Sequence, residues 1–288
     1  MKTRTLGNQQ VGAIGLGLMT FDQTGTQPRQ QLLDTVSAAL DAGVTLLDTA
    51  DAYGPGDDGA AAQGQNELLI ASLLDELGAR DRVVLATKGG HVRTDSGDWA
   101  TDRTPEHLRA AVDASLERIG VEQLALWQHH RPDPKVPYDE VIGTLKEIAD
   151  SGKVAHVGLS NADPDQIRAA HAVLGDALVS VQNQFSPKFR SSRPEIDVCE
   201  ELGLAFLPWS PLGGLGSAKD LATEHPAFAE VARERGVSPQ QVALAWELAR
   251  SPVVIPIPGA KRPSSITDSA AAAGIDLSAD ELSRLDAS

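Results

Sequence analysis

Apolar residues along the chain follow two alternating rhythms. Short aliphatic and β-branched runs occur at Ile14–Leu18, Val44–Asp48, Val83–Thr87, Leu124–Gln128, Val154–Gly158, Val179–Gln182, Leu204–Pro208 and Val253–Pro256. Between them, apolar residues recur at spacings of three and four, as in Gln30–Ala42, Glu67–Leu77, Pro105–Ile119, Asp139–Ser151, Pro164–Leu174, Glu195–Leu202 and Pro239–Ala249. The first rhythm predicts buried strands and the second amphipathic helices. Punctuation agrees. Thr104, Asp163 and Ser238 each stand before a proline, a cap residue ahead of the first helical turn, and Gly43, Gly78, Gly120, Gly152, Gly175 and Gly203 close helices just before a strand. Strand, helix and glycine repeated eight times predict a parallel sheet with crossover helices, closed as a (β/α)8 TIM barrel and folding as one domain over residues 1–288. Residues before Ile14 are expected to form a small hairpin plug.

Composition narrows the function classes. The chain has 288 residues and a net charge of −15, which disfavours nucleic acid and anionic membrane as partners. An anionic ligand would need a local cluster of positive charge. One cysteine, Cys199, excludes an internal disulfide. The N-terminus carries no apolar leader-like stretch and no run is long enough to span a bilayer, so a cytoplasmic protein, monomer or small homo-oligomer, is expected.

In such barrels the chemistry sits at the C-terminal ends of the strands. There the chain places Asp48, Lys88, His129 and His130, Ser160 and Asn161, Gln182, the segment "PWSPLGG" and the segment "IPGAKR". Five polar groups converging on one rim are harder to explain as solvated loop residues than any one alone. The adjacent histidines are poor joint metal ligands, because neighbouring strand residues point to opposite faces. Period-two alternation puts Leu124, Leu126, Gln128 and His130 on the inner face, and Trp127 and His129 toward the helices. Two segments exceed ordinary loop length: Gly54–Gly64, expected to be mobile, and His91–Arg103 around Trp99.

The segments "LLDTADAYG", "ATKGG", "LALWQHHRPD", "GKVAHVGLSN", "VSVQNQFSP", "PWSPLGG" and "VVIPIPGAK" together resemble the aldo-keto reductases, over essentially the whole chain. They are similar to bacterial members, to potassium-channel β subunits and to pyridoxal-reducing members. The resemblance implies a catalytic tetrad of Asp48, Tyr53, Lys88 and His130 and an NADPH cofactor bound without a Rossmann domain; Gly12, Gly15 and Gly17 are then no dinucleotide fingerprint. It also implies that Met19, Ser160, Asn161, Gln182 and Trp209 meet the nicotinamide end. Ser210, Leu212, Gly213 and Gly214 would lie over the pyrophosphate, and Gly259, Lys261, Arg262, Ser265 and Asp268 would surround the 2′-phosphate and adenine. Phe21 and Trp99 are the expected substrate walls. The expected chemistry is reduction of a small-molecule aldehyde or ketone to an alcohol, with Tyr53 as general acid. Its pKa of about 10 is expected to be lowered by Lys88, which Asp48 holds, while His130 polarises the carbonyl. The alternatives are a cofactor-binding regulatory or sensor subunit with little turnover and, last, a metal-dependent barrel hydrolase built on His130, Asp48 and Lys88.

Overall fold

The computed structural model describes residues 1–21, 23–214 and 216–288. A two-stranded antiparallel hairpin, β1 (Thr3–Leu6) and β2 (Gln9–Gly12), opens the chain. Seven parallel strands follow: β3 (Leu16–Gly17), β4 (Leu46–Asp48), β5 (Val84–Gly89), β8 (Leu126–His129), β9 (Val157–Ser160), β10 (Leu178–Gln182) and β11 (Ala205–Phe206), each beside the next in that order. A second hairpin, β6 (His91–Arg93) and β7 (Trp99–Thr101), stands on the loop after β5.

The eighth barrel segment has the backbone contacts of a strand without a continuous ladder. Phe206 pairs with Val254 and Gly17 with Gly259, both parallel. Prolines cause the break: Pro256 and Pro258 have no N–H to give, yet their carbonyls accept from Gly15 N and Gly17 N at 2.9 and 3.0 Å. On the other side Ile255 N and Ile257 N donate to Phe206 O and Pro208 O. The barrel is therefore closed, as the eightfold pattern predicts. Closure also explains the glycines of the first strand. A Cβ on Gly17 would stand 2.8 Å from Ile257 O, and one on Gly15 2.9 Å from Ile257 Cγ2.

Helices α1 (Arg29–Asp41), α2 (Gln65–Glu76), α3 (Pro105–Ile119), α4 (Tyr138–Asp150), α5 (Pro164–Leu174), α6 (Arg193–Leu202) and α9 (Pro239–Leu248) match the predicted ones within about two residues. The three predicted caps form: Thr104 accepts from His107 N, Asp163 makes a capping box with Gln166, and Ser238 accepts from Gln241 N. The chain adds α7 (Leu221–Glu224), α8 (Pro226–Arg235), α10 (Pro263–Ala271) and α11 (Ala279–Asp286). None of the described helices is long and apolar enough to cross a membrane.

The core has two layers. Inside the barrel, Leu46, Val84, Ala86, Leu126, Val179, Ala205, Leu207, Ile255 and Ile257 cluster with Leu6 and Val11 of the first hairpin, which plugs the N-terminal end. Outside, the strands' other faces pack on the helices, with Trp127 and Val181 among them. The alternation of barrel strand four starts one residue late. Leu124 makes only an isolated bridge to Val154 and joins the outer cluster, while Ala125 packs on the interior one. From Leu126 onward the expected faces hold.

The long loop Gly54–Gly64 is more ordered than a mobile tether: Gly56–Ala62 forms 3₁₀ turns. It abuts the tip of the second hairpin so closely that a Cβ on Gly97 would lie 2.5 Å from Gly56 O, and one on Gly59 2.5 Å from Asp95 O.

One buried acid lies apart from these features. Glu247 on α9 is fully buried, and neither carboxyl oxygen has a partner among the described residues. Burial pushes its pKa well above the ordinary 4.5. The folded protein thus keeps Glu247 protonated at pH values where the unfolded chain ionises it. Its contribution to stability is complete below about pH 4.5 and falls as pH rises above that value. Glu247→Leu is therefore expected to raise Tm more at pH 8 than at pH 4, as read by thermal denaturation. An equal change at the two pH values would contradict a buried neutral acid.

Candidate active site

Above the apolar interior, the next inward positions of the strands are polar. Asp48 ends β4, Lys88 lies in β5 beside Gln128 of β8, and Gln182 ends β10. Lys88 is fully buried, and its Nζ donates to Asp48 Oδ2 at 2.6 Å, to Thr49 O at 2.8 Å and to the Tyr53 hydroxyl at 3.3 Å. Asp48 Oδ1 accepts from Gln128 Nε2 at 3.0 Å and from Gln182 Nε2 at 2.8 Å. Both carboxylate oxygens are therefore occupied, and the aspartate is held as a rigid anion against the ammonium.

Burial acts against the charge on Lys88, yet Asp48 and Tyr53 together outweigh it and hold the lysine pKa above its usual value. Lys88 pulls the Tyr53 pKa down, as expected, but the net shift is upward. Burial raises it, Lys88 pulls it down less strongly, and the result lies above 10.0. Tyr53 is a neutral phenol, the protonated form that an acid needs.

His130 stands edge-on to Tyr53, with ring centroids 5.8 Å apart. Burial, reinforced by the charge of Lys88 and by neighbours that include His91 and Arg131, keeps its pKa well below 6.5, so the imidazole is neutral. Its Nδ1 is buried without a partner among the described residues, leaving Nε2 as the nitrogen open to the cavity. His129 points away and is fully buried, its pKa pushed down to about 3 by burial. Among the described residues no group of three or more His, Cys, Asp or Glu side chains is placed to hold a metal ion.

The tetrad borders a cavity of about 550 Å³. Asp48, Tyr53 and His130 line it, with Lys88 directly behind. Met19, Trp99, Ser160, Asn161, Gln182, Trp209, Ser210, Leu212, Gly214, Gly259 and Lys261 line it as well. Asn161 and Ser210 are the only non-glycine residues with positive φ among those described, at 59° and 52°, and both face this space. Such backbone is costly outside glycine and gathers at functional sites. Asn161 Nδ2 donates to His130 O and Ser160 Oγ, so its side-chain oxygen stays unoccupied beside the tetrad.

Several expected site residues lie away from this cavity. Phe21 is no substrate wall: it is 1% exposed and packs in the outer core with Leu32 and Ile70. Asp268 does not reach the cavity, because its carboxylate accepts from Ser238 Oγ and Gln241 Nε2, both at 2.7 Å. Gly213, Arg262 and Ser265 lie outside the lining; Arg262 Nε donates to Ser265 Oγ at 3.1 Å.

Some functional positions had weaker signals. Gln128 falls on the inner face by alternation yet is not singled out as a clamp on Asp48. Asn66 in the first turn of α2 accepts from Thr49 Oγ1 at 2.6 Å, donates to Leu18 O and Phe21 O, and gives its backbone N–H to Tyr53 O. It thus ties down both the tyrosine loop and the residue whose carbonyl holds Lys88. His91 packs edge-on against His130 at 4.2 Å and Trp99 at 5.6 Å, with its pKa pushed down to about 4 by burial.

The model of the aldo/keto reductase family matches residues 13–288. The chain belongs to this family. Among curated relatives, it is 37% identical to the 6-dehydroglucose reductase of Novosphingobium aromaticivorans, over 93% of this chain and 89% of that protein. It is 34% identical to an uncharacterized oxidoreductase of Schizosaccharomyces pombe, over 99% and 89%. A solved aldo/keto reductase from Klebsiella pneumoniae, in complex with NADP and acetate, superposes with a TM-score of 0.82 at 28% identity, covering 99% of this chain and 94% of that one. A second Klebsiella pneumoniae structure, in complex with NADPH, gives 0.82 at 27% identity, over 100% and 95%.

Proposed function

We propose that this aldo/keto reductase reduces a small aldehyde or ketone to an alcohol with NADPH, Tyr53 serving as general acid. The observation that carries this reading is the buried Asp48–Lys88–Tyr53 chain opening, beside a neutral His130, into a cavity large enough for a ligand.

The side chains present fit the cofactor. Asn161 keeps an unoccupied oxygen and Gln182 uses its amide nitrogen on Asp48, so each has an acceptor for a carboxamide N–H. Trp209 lines the same wall, with its indole N–H unpartnered. Gly213 and Gly214, at φ 92° and 116°, let backbone approach closely. Lys261 lines the far end, its ammonium without a partner among the described residues, and supplies the positive charge a −15 protein needs locally. Bound there, NADPH supplies the hydride. Tyr53 gives its hydroxyl proton to the carbonyl oxygen, His130 Nε2 orients and polarises that oxygen, and Lys88 stabilises the phenolate left behind. Asp48 keeps Lys88 in place and charged.

Replacing the two cations, Lys261→Ala with Arg262→Ala, is expected to raise KM for NADPH by about 10–100-fold with little change in kcat, the loss of one or two charge-assisted contacts. Initial rates against NADPH concentration decide it, and an unchanged KM removes these residues from the cofactor site.

A further inference from the structure

Among the described residues, the cavity lining carries three charged side chains: Asp48, Arg131 and Lys261. Asp48 is neutralised by Lys88. Neither the Arg131 guanidinium nor the Lys261 ammonium has a hydrogen bond or ion pair among the described residues. In a chain of net charge −15, two unmatched cations facing one cavity need an explanation.

They cannot share one anion. Arg131 follows β8, the fourth barrel strand, and Lys261 follows the eighth segment. The order β11-β10-β9-β8-β5-β4-β3, closed by that segment, puts these two positions on opposite sides of the rim. Lys261 belongs with Trp209, Ser210 and Gly214, the side assigned to the dinucleotide. Arg131 adjoins His130 and belongs with Tyr53 and Trp99, the side left for the substrate.

Arg131 is also deprived of the nearest acid along the chain. Asp133, two residues on, pairs with Arg103 Nη1 at 2.9 Å and accepts from Thr101 Oγ1 at 3.0 Å and from Lys135 N at 2.9 Å. Arg103 in turn donates through Nε to Arg131 O. The backbone of Arg131 is thus fixed by the ion pair that excludes its side chain. A simple solvated charge would leave the site untouched, yet the Arg131 charge helps to keep both His130 and His91 neutral.

We propose that the substrate is a carbonyl compound bearing an anionic group, a carboxylate or a phosphate, which Arg131 binds while the carbonyl meets Tyr53 and His130. This deepens, and rests on, the reductase reading given above. A guanidinium offers paired donors matched to either anion. Trp99, 45% exposed and braced by Arg93 at 3.9 Å from its ring, provides an apolar wall for the body of the molecule.

The test compares 4-carboxybenzaldehyde, 4-formylphenyl phosphate and neutral 4-methylbenzaldehyde as substrates with NADPH, for the unaltered protein, Arg131→Met and Arg131→Lys. At least one anionic aldehyde is expected to exceed the neutral one in kcat/KM by about tenfold or more. The better of the two identifies the anion. Arg131→Met should bring that ratio close to one, mainly through KM, and Arg131→Lys should restore part of it. No preference in the unaltered protein, or a preference that survives Arg131→Met, overturns the assignment. If none of the three aldehydes turns over, the reductase reading fails by itself. Calorimetric titration with benzoate, phenyl phosphate and benzamide then decides the anion site: binding of either anion that Arg131→Met weakens about tenfold upholds it, and equal binding to the two proteins rejects it.

Discussion

Tyr53→Phe is expected to lower kcat for carbonyl reduction by about 10²–10⁴-fold, the range general acid catalysis contributes, while leaving the fold and NADPH affinity nearly unchanged. Among the described residues the hydroxyl takes one hydrogen bond, from Lys88 Nζ at 3.3 Å. The ring, by contrast, packs edge-on against Trp99 and His130, and phenylalanine retains it. The variant therefore removes the proton and little else. A companion expectation follows from electrostatics. Burial holds the Tyr53 pKa above 10.0 against the pull of Lys88, so the acid is protonated throughout the neutral range. The rate of reduction should stay flat across neutral pH and fall only above the ordinary phenol range. Steady-state kinetics of both proteins over pH, with cofactor binding followed by fluorescence, checks both points. Near-normal turnover in Tyr53→Phe would remove Tyr53 from the proton-transfer role.

Most of this arrangement is legible before any coordinates, for a physical reason. A barrel strand buried on both faces reads as an apolar run, so a carboxylate, ammonium or amide at its end has to be held by something. Asp48, Lys88 and Gln182 stand out on that ground alone, and alternation correctly turns His130 inward and Trp127 outward. What the sequence hides is set by partners distant along the chain. Nothing near Phe21 distinguishes a pocket wall from a core residue; its fate is decided by α1 and α2 packing over it. The carboxylate of Asp268 looks free until Ser238 and Gln241 arrive from α9. The strands at His91–Arg93 and Trp99–Thr101 span three residues each, too short for a period of two to declare itself. The direction of the Tyr53 pKa needs the depth of burial, which no local pattern encodes. Arg131 follows the same logic: only the pairing of Asp133 with Arg103 shows that it has been left without a partner.

Lys88→Met should be the most damaging single change to stability. It removes the only cation bonded to Asp48 among the described residues and leaves a carboxylate that is 2% exposed with two neutral amide donors, Gln128 and Gln182. Breaking one side of a buried ion pair costs about 3–5 kcal/mol, because the remaining charge has lost its compensation and cannot reach water. Asp48→Asn makes the mirror-image error, stranding the ammonium. Replacing both at once strands neither, so Asp48→Asn with Lys88→Met should be considerably more stable than the sum of the two single losses, with a coupling of about 0.5–3 kcal/mol. Activity should not follow stability. The double variant has no ammonium to stabilise the Tyr53 phenolate, and its turnover should remain as low as that of Lys88→Met. Urea denaturation of the four proteins of this cycle, alongside their kcat values, separates the two roles. Additive stability losses would mean that the pair is not coupled through burial. Turnover that recovered with stability would mean that Lys88 supports the fold around Tyr53 and takes no part in the proton's transfer.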